Sequence, residues 1–295
     1  MDKLKAVWEL MRLEHGVMIF IAIMIGSIIA LRGEGFPPWD NFILTFCTAL
    51  FLESSTFALN DYFDLEIDRK NERFDRPLVR GDLSPKTALY LFYIFFPLGI
   101  ICSFFVNYTC FFIALITGFL AILYDFKLKR LKLLGNFYIA YVMAVPFVFG
   151  GAAVLETNTL AFNIPASIFI VSLIAFLAGA GREIMKDVMD YEGDRDGGVK
   201  SFPSHIGIKN SNILASFFYI IAVVLSFIPF IVSLFSVYHR NLYYIAFIII
   251  TDVMLVLVVS QLLLNRKNDM GFYRKLSLVA LFVGLIGFLI PTLMQ

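Results

Sequence analysis

The chain has 295 residues, 60% hydrophobic and only 16% charged, with a formal net charge of +1 and a mean hydropathy of +0.83. Soluble domains carry about a quarter charged residues, so an ordinary water-soluble fold is excluded and an all-α polytopic membrane protein is expected. The net charge of +1 says nothing about nucleic acid, and the 33 Phe suit lipid-facing and cavity-lining positions better than base stacking, so a nucleic-acid reading has no support.

A bilayer span needs about 20 mostly apolar residues. Nine stretches qualify, near 15–32, 41–59, 87–106, 108–124, 134–155, 163–184, 211–236, 241–264 and 275–293. The first follows a polar Met1–Glu14 segment without a small-residue cleavage site, which predicts a retained span and not a signal peptide. Pro97, Pro146, Pro229 and Pro291 fall inside spans and are expected to kink them without breaking them. Cys47, Cys102 and Cys110 sit in apolar runs with no CxxC or histidine partner, so they read as small buried hydrophobes.

Basic residues gather at the N-terminus and after spans 2, 4, 6 and 8, leaving Arg32 and Arg240 for the other side. The positive-inside bias predicts a cytoplasmic N-terminus and an outside C-terminus.

NDYFDLEID, residues 60–68, follows the second apolar run and carries Asp61, Asp64 and Asp68 at i, i+3 and i+7. On a helix these lie within about 60° of one another, a stripe of like charges that is unfavourable unless a cation bridges it. GREIMKDVMDYEGD, residues 181–194, closes span 6 and repeats the spacing as Asp187, Asp190 and Asp194. An offset of 126 residues carries the first triad onto the second, Pro77 onto Pro203 and Gly81 onto Gly207. This predicts two related four-helix units, about 12–130 and 134–265, with a ninth helix at 275–293, and two acidic ends facing a shared cavity open to the cytoplasmic side.

Hard divalent cations take oxygen ligands, and Mg²⁺ is usually held by one or two carboxylates together with substrate phosphates. Two acidic stripes on greasy helix ends therefore suit a substrate that is half diphosphate and half hydrocarbon. Arg73 and Arg76 of NERFDRPL are the preferred phosphate contacts; Lys200 follows the second triad, and YDFKLKR adds Tyr124, Lys127 and Lys129 at the end of span 4. A cation-coupled transporter is a different class that also uses repeats and intramembrane acids, but its binding acids lie near the midplane on interrupted helices. Here they run into basic loops, and Glu53 and Asp252 are isolated.

These motifs resemble those of the UbiA superfamily of intramembrane prenyltransferases, whose nine-span pattern covers the whole chain. NDYFDLEID resembles its NDxxDxxxD motif, DVMDYEGD its DxxDxxxD motif and NERFDRPL its NxxRPL segment; the Tyr-x-x-x-Lys element is approximate, since Tyr124 is followed by Lys127 and Lys129. The resemblance implies a UbiA-like bundle that transfers an isoprenyl group from an allylic diphosphate to a lipid-like acceptor within membrane lipids. It also implies Mg²⁺ held by Asn60, Asp61, Asp64, Asp68, Asp187, Asp190 and Asp194, with Asp64, Asp68, Asp190 and Asp194 at the catalytic centre. The compact chain and its second motif look most like the branch that moves a geranylgeranyl group onto the free hydroxyl of geranylgeranylglyceryl phosphate in archaeal lipid synthesis. The alternative branch prenylates aromatic rings in quinone synthesis. In RLEHGVM, Arg12 is a candidate for the acceptor phosphate and His15 for the hydroxyl; an interface arginine and a helix-capping histidine are the plainer reading, and the preferred one.

Overall fold

The computed structural model describes residues 3–155, 164–192, 200–264 and 270–294. They form helices α1 (Lys3–Met11), α2 (Gly16–Ala30), α3 (Trp39–Lys70), α4 (Pro77–Arg80), α5 (Pro85–Val106), α6 (Tyr108–Phe126) and α7 (Lys132–Ala153). After these come α8 (Ala166–Met189), α9 (Phe202–Ser226), α10 (Ile228–Ile231), α11 (Leu242–Leu264) and α12 (Met270–Leu293). Among the described residues nine helices are long and apolar enough to cross a membrane, and there is no strand. The protein is a multi-pass membrane protein.

Sequence chemistry sets the helix starts. Ser84 Oγ accepts from Thr87 N at 3.2 Å with Pro85 in the first turn of α5, and Asn107 Oδ1 accepts from Cys110 N at 2.8 Å at the start of α6. Each side chain satisfies a backbone N–H that has no partner within its helix. Asn107 Nδ2 also donates to the Ala152 carbonyl at 2.9 Å, tying α6 to α7.

Two helices follow the sequence expectation in detail. α3 continues beyond the apolar run to Lys70, as the helical spacing of its acids requires. At Pro229 the span kinks without breaking: α9 stops at Ser226 and α10 begins at Ile228, Phe227 between them keeps right-handed helical backbone, and Phe202–Ile231 forms one candidate span; Pro229 lies in the first turn of α10, where a missing N–H is no loss.

The long helices pack as a ring. α3 lies along α5, α2 along α7, α7 along α8, α8 along α9, and α11 along α12, while α12 returns to α2. Small residues permit the α2–α7 approach: a Cβ on Gly26 would fall on the Phe147 carbonyl, and one on Gly150 on the Ile23 carbonyl. Ser27 Oγ donates to the Gly150 carbonyl at 2.9 Å in the same seam. Gly81 and Gly207, related by the 126-residue offset, both hold φ of 79°, a region open to glycine at no steric cost.

Candidate active site

α3 and α8 bring their acidic ends to one end of the ring, at the mouth of a cavity of about 810 Å³. Every long helix except α5 contributes to its wall. Asn60, Asp64 and Asp68 line the mouth together with Arg12, His15, Arg73, Arg76, Tyr124 and Lys129. Farther in, the wall turns apolar, with Ile19, Val142, Met143, Phe147, Val171 and Leu255 among its residues. Ligand cavities reach roughly 1,000 Å³ and combine an apolar lining with a few convergent polar groups, which is the arrangement here.

The acids of α3 divide by environment. Asp61 is buried behind the wall, its side chain 2% exposed, and its Oδ1 accepts from Arg12 Nη2 at 2.8 Å and Arg76 Nη1 at 3.3 Å. Asp64 faces the cavity and is ion-paired with Lys129. Asn60 Nδ2 donates to Asp125 Oδ1 at 2.7 Å, which leaves the Asn60 carbonyl oxygen as that side chain's free donor toward a cation.

On the facing side, Asp187 Oδ2 accepts from Asn136 Nδ2 at 2.8 Å and Phe202 N at 3.3 Å, with Lys132 Nζ 3.5 Å from Oδ1. Of the second triad, Asp187 lies inside α8 and Asp190 just past its end. α8 ends at Met189, and Asp190 is its exposed C-cap; Asp194 lies outside the described residues. Acids at a helix C-terminus oppose the helix dipole, and Lys132 beside Asp187 offsets part of that here.

Several expected residues fall elsewhere. Lys127 is exposed at the C-cap of α6, and Lys200 is exposed beside Leu131; neither lines the cavity. Of the two lysines after Tyr124, Lys129 is therefore the one at the mouth. Arg73 lines the mouth but holds Asp75 through Nε and Nη2, both at 2.8 Å; this hydrogen bonding keeps the Asp75 carboxyl down at about 2. His15 makes no capping hydrogen bond and sits 3.7 Å from Glu53, edge-on to Phe57. Arg12 is more than an interface residue, since it pairs with Asp61 and stacks 4.2 Å over the Phe57 ring.

The structure adds residues that the motifs did not single out. Asp125 lines the cavity, as do Lys132, Arg182, Glu183 and Lys186. Lys186 Nζ donates to Glu183 Oε2 at 2.7 Å. Arg76 Nε and Arg182 Nε are buried without a hydrogen-bond partner, and a buried unsatisfied donor costs about 1–3 kcal/mol. Two such guanidinium donors at the mouth suit phosphate oxygens. Burial pulls the Lys129 ammonium down to about 8, while the Asp61 carboxylate opposes that fall.

The donor chemistry also fits a hard divalent cation. Asp64, Asp68 and the Asn60 carbonyl share one wall, and Asp61 Oδ2 is buried with no partner. Among the described residues no three acid or imidazole groups converge on one point; basic side chains neutralise the acids instead.

The UbiA prenyltransferase family matches residues 19–292. A digeranylgeranylglyceryl phosphate synthase of Archaeoglobus fulgidus is 41% identical over 286 residues, covering 97% of this chain and 94% of that one. The enzyme of the same name from Pyrococcus horikoshii is 34% identical over 289 residues, covering 98% of each. A solved structure of digeranylgeranylglyceryl phosphate synthase superposes with a TM-score of 0.80 at 31% identity, covering both chains completely. A UbiA homolog from Archaeoglobus fulgidus bound to DMAPP and Mg²⁺ shares the fold, with a TM-score of 0.63 at 15% identity over 96% of this chain and 99% of that one. With nine candidate spans among its described residues, its acidic helix ends and a family match over nearly its whole length, this chain belongs to the UbiA prenyltransferase family.

Proposed function

We propose that the protein transfers the geranylgeranyl group of geranylgeranyl diphosphate to the free hydroxyl of geranylgeranylglyceryl phosphate. The observation that carries this reading is full-length similarity, up to 41% identity, to digeranylgeranylglyceryl phosphate synthases. A cavity with a charged mouth and an apolar interior is consistent with it.

In this account Asn60, Asp61, Asp64 and Asp68 from α3 and Asp187, Asp190 and Asp194 from the second motif would hold Mg²⁺, which when bound supplies positive charge to the diphosphate as its C–O bond breaks. Arg76 and Lys129 bind diphosphate oxygens directly, Arg76 through its Nε, which makes no hydrogen bond and has Asp75 Oδ2 3.6 Å away; Lys129 leaves Asp64 for a phosphate oxygen. Tyr124, stacked 4.8 Å from Tyr138, walls the first carbons of the tail. Lys132, Arg182 and Lys186 face the mouth from the α7–α8 side and suit the phosphate of the acceptor. Asp125, held by Asn60, sits between the charged mouth and the apolar wall, where it orients the acceptor hydroxyl toward the reacting carbon. The apolar interior excludes water, so the allylic cation meets the acceptor and not a hydroxide.

The two motifs, the 126-residue offset and the matched φ of Gly81 and Gly207 support two related units, about 12–130 and 134–265, with residues 275–293 appended. The distribution of basic residues supports a cytoplasmic N-terminus and mouth and an outside C-terminus.

The test is an acceptor panel with purified protein, Mg²⁺ and geranylgeranyl diphosphate. The account expects a diether phosphate from geranylgeranylglyceryl phosphate and no product from hydroxybenzoate, dihydroxynaphthoate or homogentisate. Product only on an aromatic ring would keep the prenyl transfer and overturn the acceptor; intact diphosphate with every acceptor would point to transport.

A further inference from the structure

The interior of the cavity is not apolar throughout. Asp252 lies midway along α11, 7% exposed, on the cavity wall beside Thr251 and Ser226. Ser226 Oγ donates to Asp252 Oδ2 at 2.8 Å, and Tyr244 Oη donates to the Ser226 carbonyl at 2.8 Å. Among the described residues no basic side chain forms an ion pair with Asp252. Around this polar notch the wall is Ile248, Leu255, Leu281, Phe282, Leu285 and Phe288. An ionisable group at membrane depth is unfavourable and, by default, marks a function; the chemistry at the mouth does not use this one.

The notch sits at the far end of the cavity from the phosphate-binding groups. Gly181 of α8 packs against Ala215 and Tyr219 of α9, and the two helices run antiparallel. Following α9 onward, Ser226 comes level with α8 near Val171. From Lys186 at the mouth to Val171 along α8 is about 22 Å at the helical rise, close to the reach of an extended geranylgeranyl tail.

We propose that the Asp252–Ser226 pair is an end-stop that sets the longest polyprenyl tail this arm of the cavity accepts, an inference that rests on the prenyl-transfer reading above. A tail that ends short of the notch leaves the carboxyl its polar surroundings. One more isoprene unit presses methyl groups onto it, and hydrocarbon offers no hydrogen bond in exchange. Discrimination against longer tails follows from the carboxyl's polarity and not from its bulk. Donor and acceptor carry the same kind of tail, so the test varies each in turn.

The experiment measures kcat/KM with 20-carbon and 25-carbon donors at fixed acceptor, then with 20-carbon and 25-carbon acceptor tails at fixed donor. Equilibrium binding of the two donor diphosphates is measured alongside and needs no turnover. Wild type is compared with Asp252→Leu, Asp252→Val, Asp252→Asn and Ser226→Ala. The expected result is a 25-to-20-carbon preference raised about tenfold or more by Asp252→Leu in one of the two series, with the wild-type ratio kept by the polar Asp252→Asn. Ser226→Ala leaves the polar carboxyl in place and keeps the wild-type ratio; Asp252→Val, apolar like Asp252→Leu and smaller, gives the same rise and serves if Asp252→Leu does not fold. Unchanged ratios across the variants in both series and in binding would overturn the end-stop. Absence of transfer by wild type, with the binding ratio still shifted by Asp252→Leu, would overturn the reaction and leave the end-stop standing.

Discussion

Arg12 Nη2 donates to Asp61 Oδ1 at 2.8 Å from a residue held on left-handed backbone, φ 49° and ψ 46°. A non-glycine residue in that region costs about 1–3 kcal/mol and persists where its surroundings over-determine it. Here the surroundings are the buried carboxylate and the Phe57 ring. The strained turn between α1 and α2 thus delivers a guanidinium to an acid one layer behind the mouth.

Arg12→Ala leaves the buried Asp61 carboxylate with Arg76 alone and should destabilise the protein by about 2–3 kcal/mol. Arg12→Gly should recover about 1 kcal/mol of that, because glycine accepts the positive φ. Thermal unfolding in detergent checks the order wild type, Gly, Ala; an Ala variant as stable as wild type would contradict the buried pairing.

Lys129 provides a pH handle. Its ammonium is drawn down to about 8 by burial, so raising pH through that value converts the mouth cation to neutral amine. Donor kcat/KM, which reports the free enzyme, should fall above about pH 8. Lys129→Arg keeps its charge to pH above 12 and should lose that alkaline limb; a limb that persists unchanged would assign it to another group.

Asp125 is held by Asn60 and faces the cavity. Asp125→Asn should lower kcat by about 10²-fold, the range for misplacing a reacting group, while KM for the donor changes little. A loss confined to KM would make Asp125 a wall residue.

The α2–α7 seam predicts a purely structural phenotype. Gly150→Ala puts a methyl on the Ile23 carbonyl, and overpacking costs about 1–3 kcal/mol. The melting temperature should fall while KM for both substrates stays put in the folded fraction; an unaltered melting temperature would contradict the backbone contact.

The spans and the acid-rich helix ends were legible because both are patterns of composition at fixed spacing: apolar runs near bilayer length, and Asp61, Asp64 and Asp68 at helical intervals. What was not legible depends on neighbours far along the chain. Spacing put all three acids on one stripe, yet Asp61 turns to Arg12 and Arg76 while Asp64 meets Lys129, a division set by packing of α1 and α6 against α3. The same limit applies to Lys127 and Lys129, two residues apart in sequence with one outside and one at the mouth. Asp125 lies inside YDFKLKR, next to Tyr124, and an acid at the end of an apolar span was the available signal. Asp252 was visible as an isolated intramembrane acid; its place beside Ser226 required the antiparallel packing of α9 and α11.

The most direct measurement follows the products of geranylgeranyl diphosphate and geranylgeranylglyceryl phosphate by mass spectrometry, for wild type and for Asp64→Asn, with and without chelator. The account predicts one diether phosphate for each diphosphate released by wild type, and loss of both products together in the variant and with chelator. Diether formation undiminished in Asp64→Asn would contradict the assignment of the α3 acids to the diphosphate.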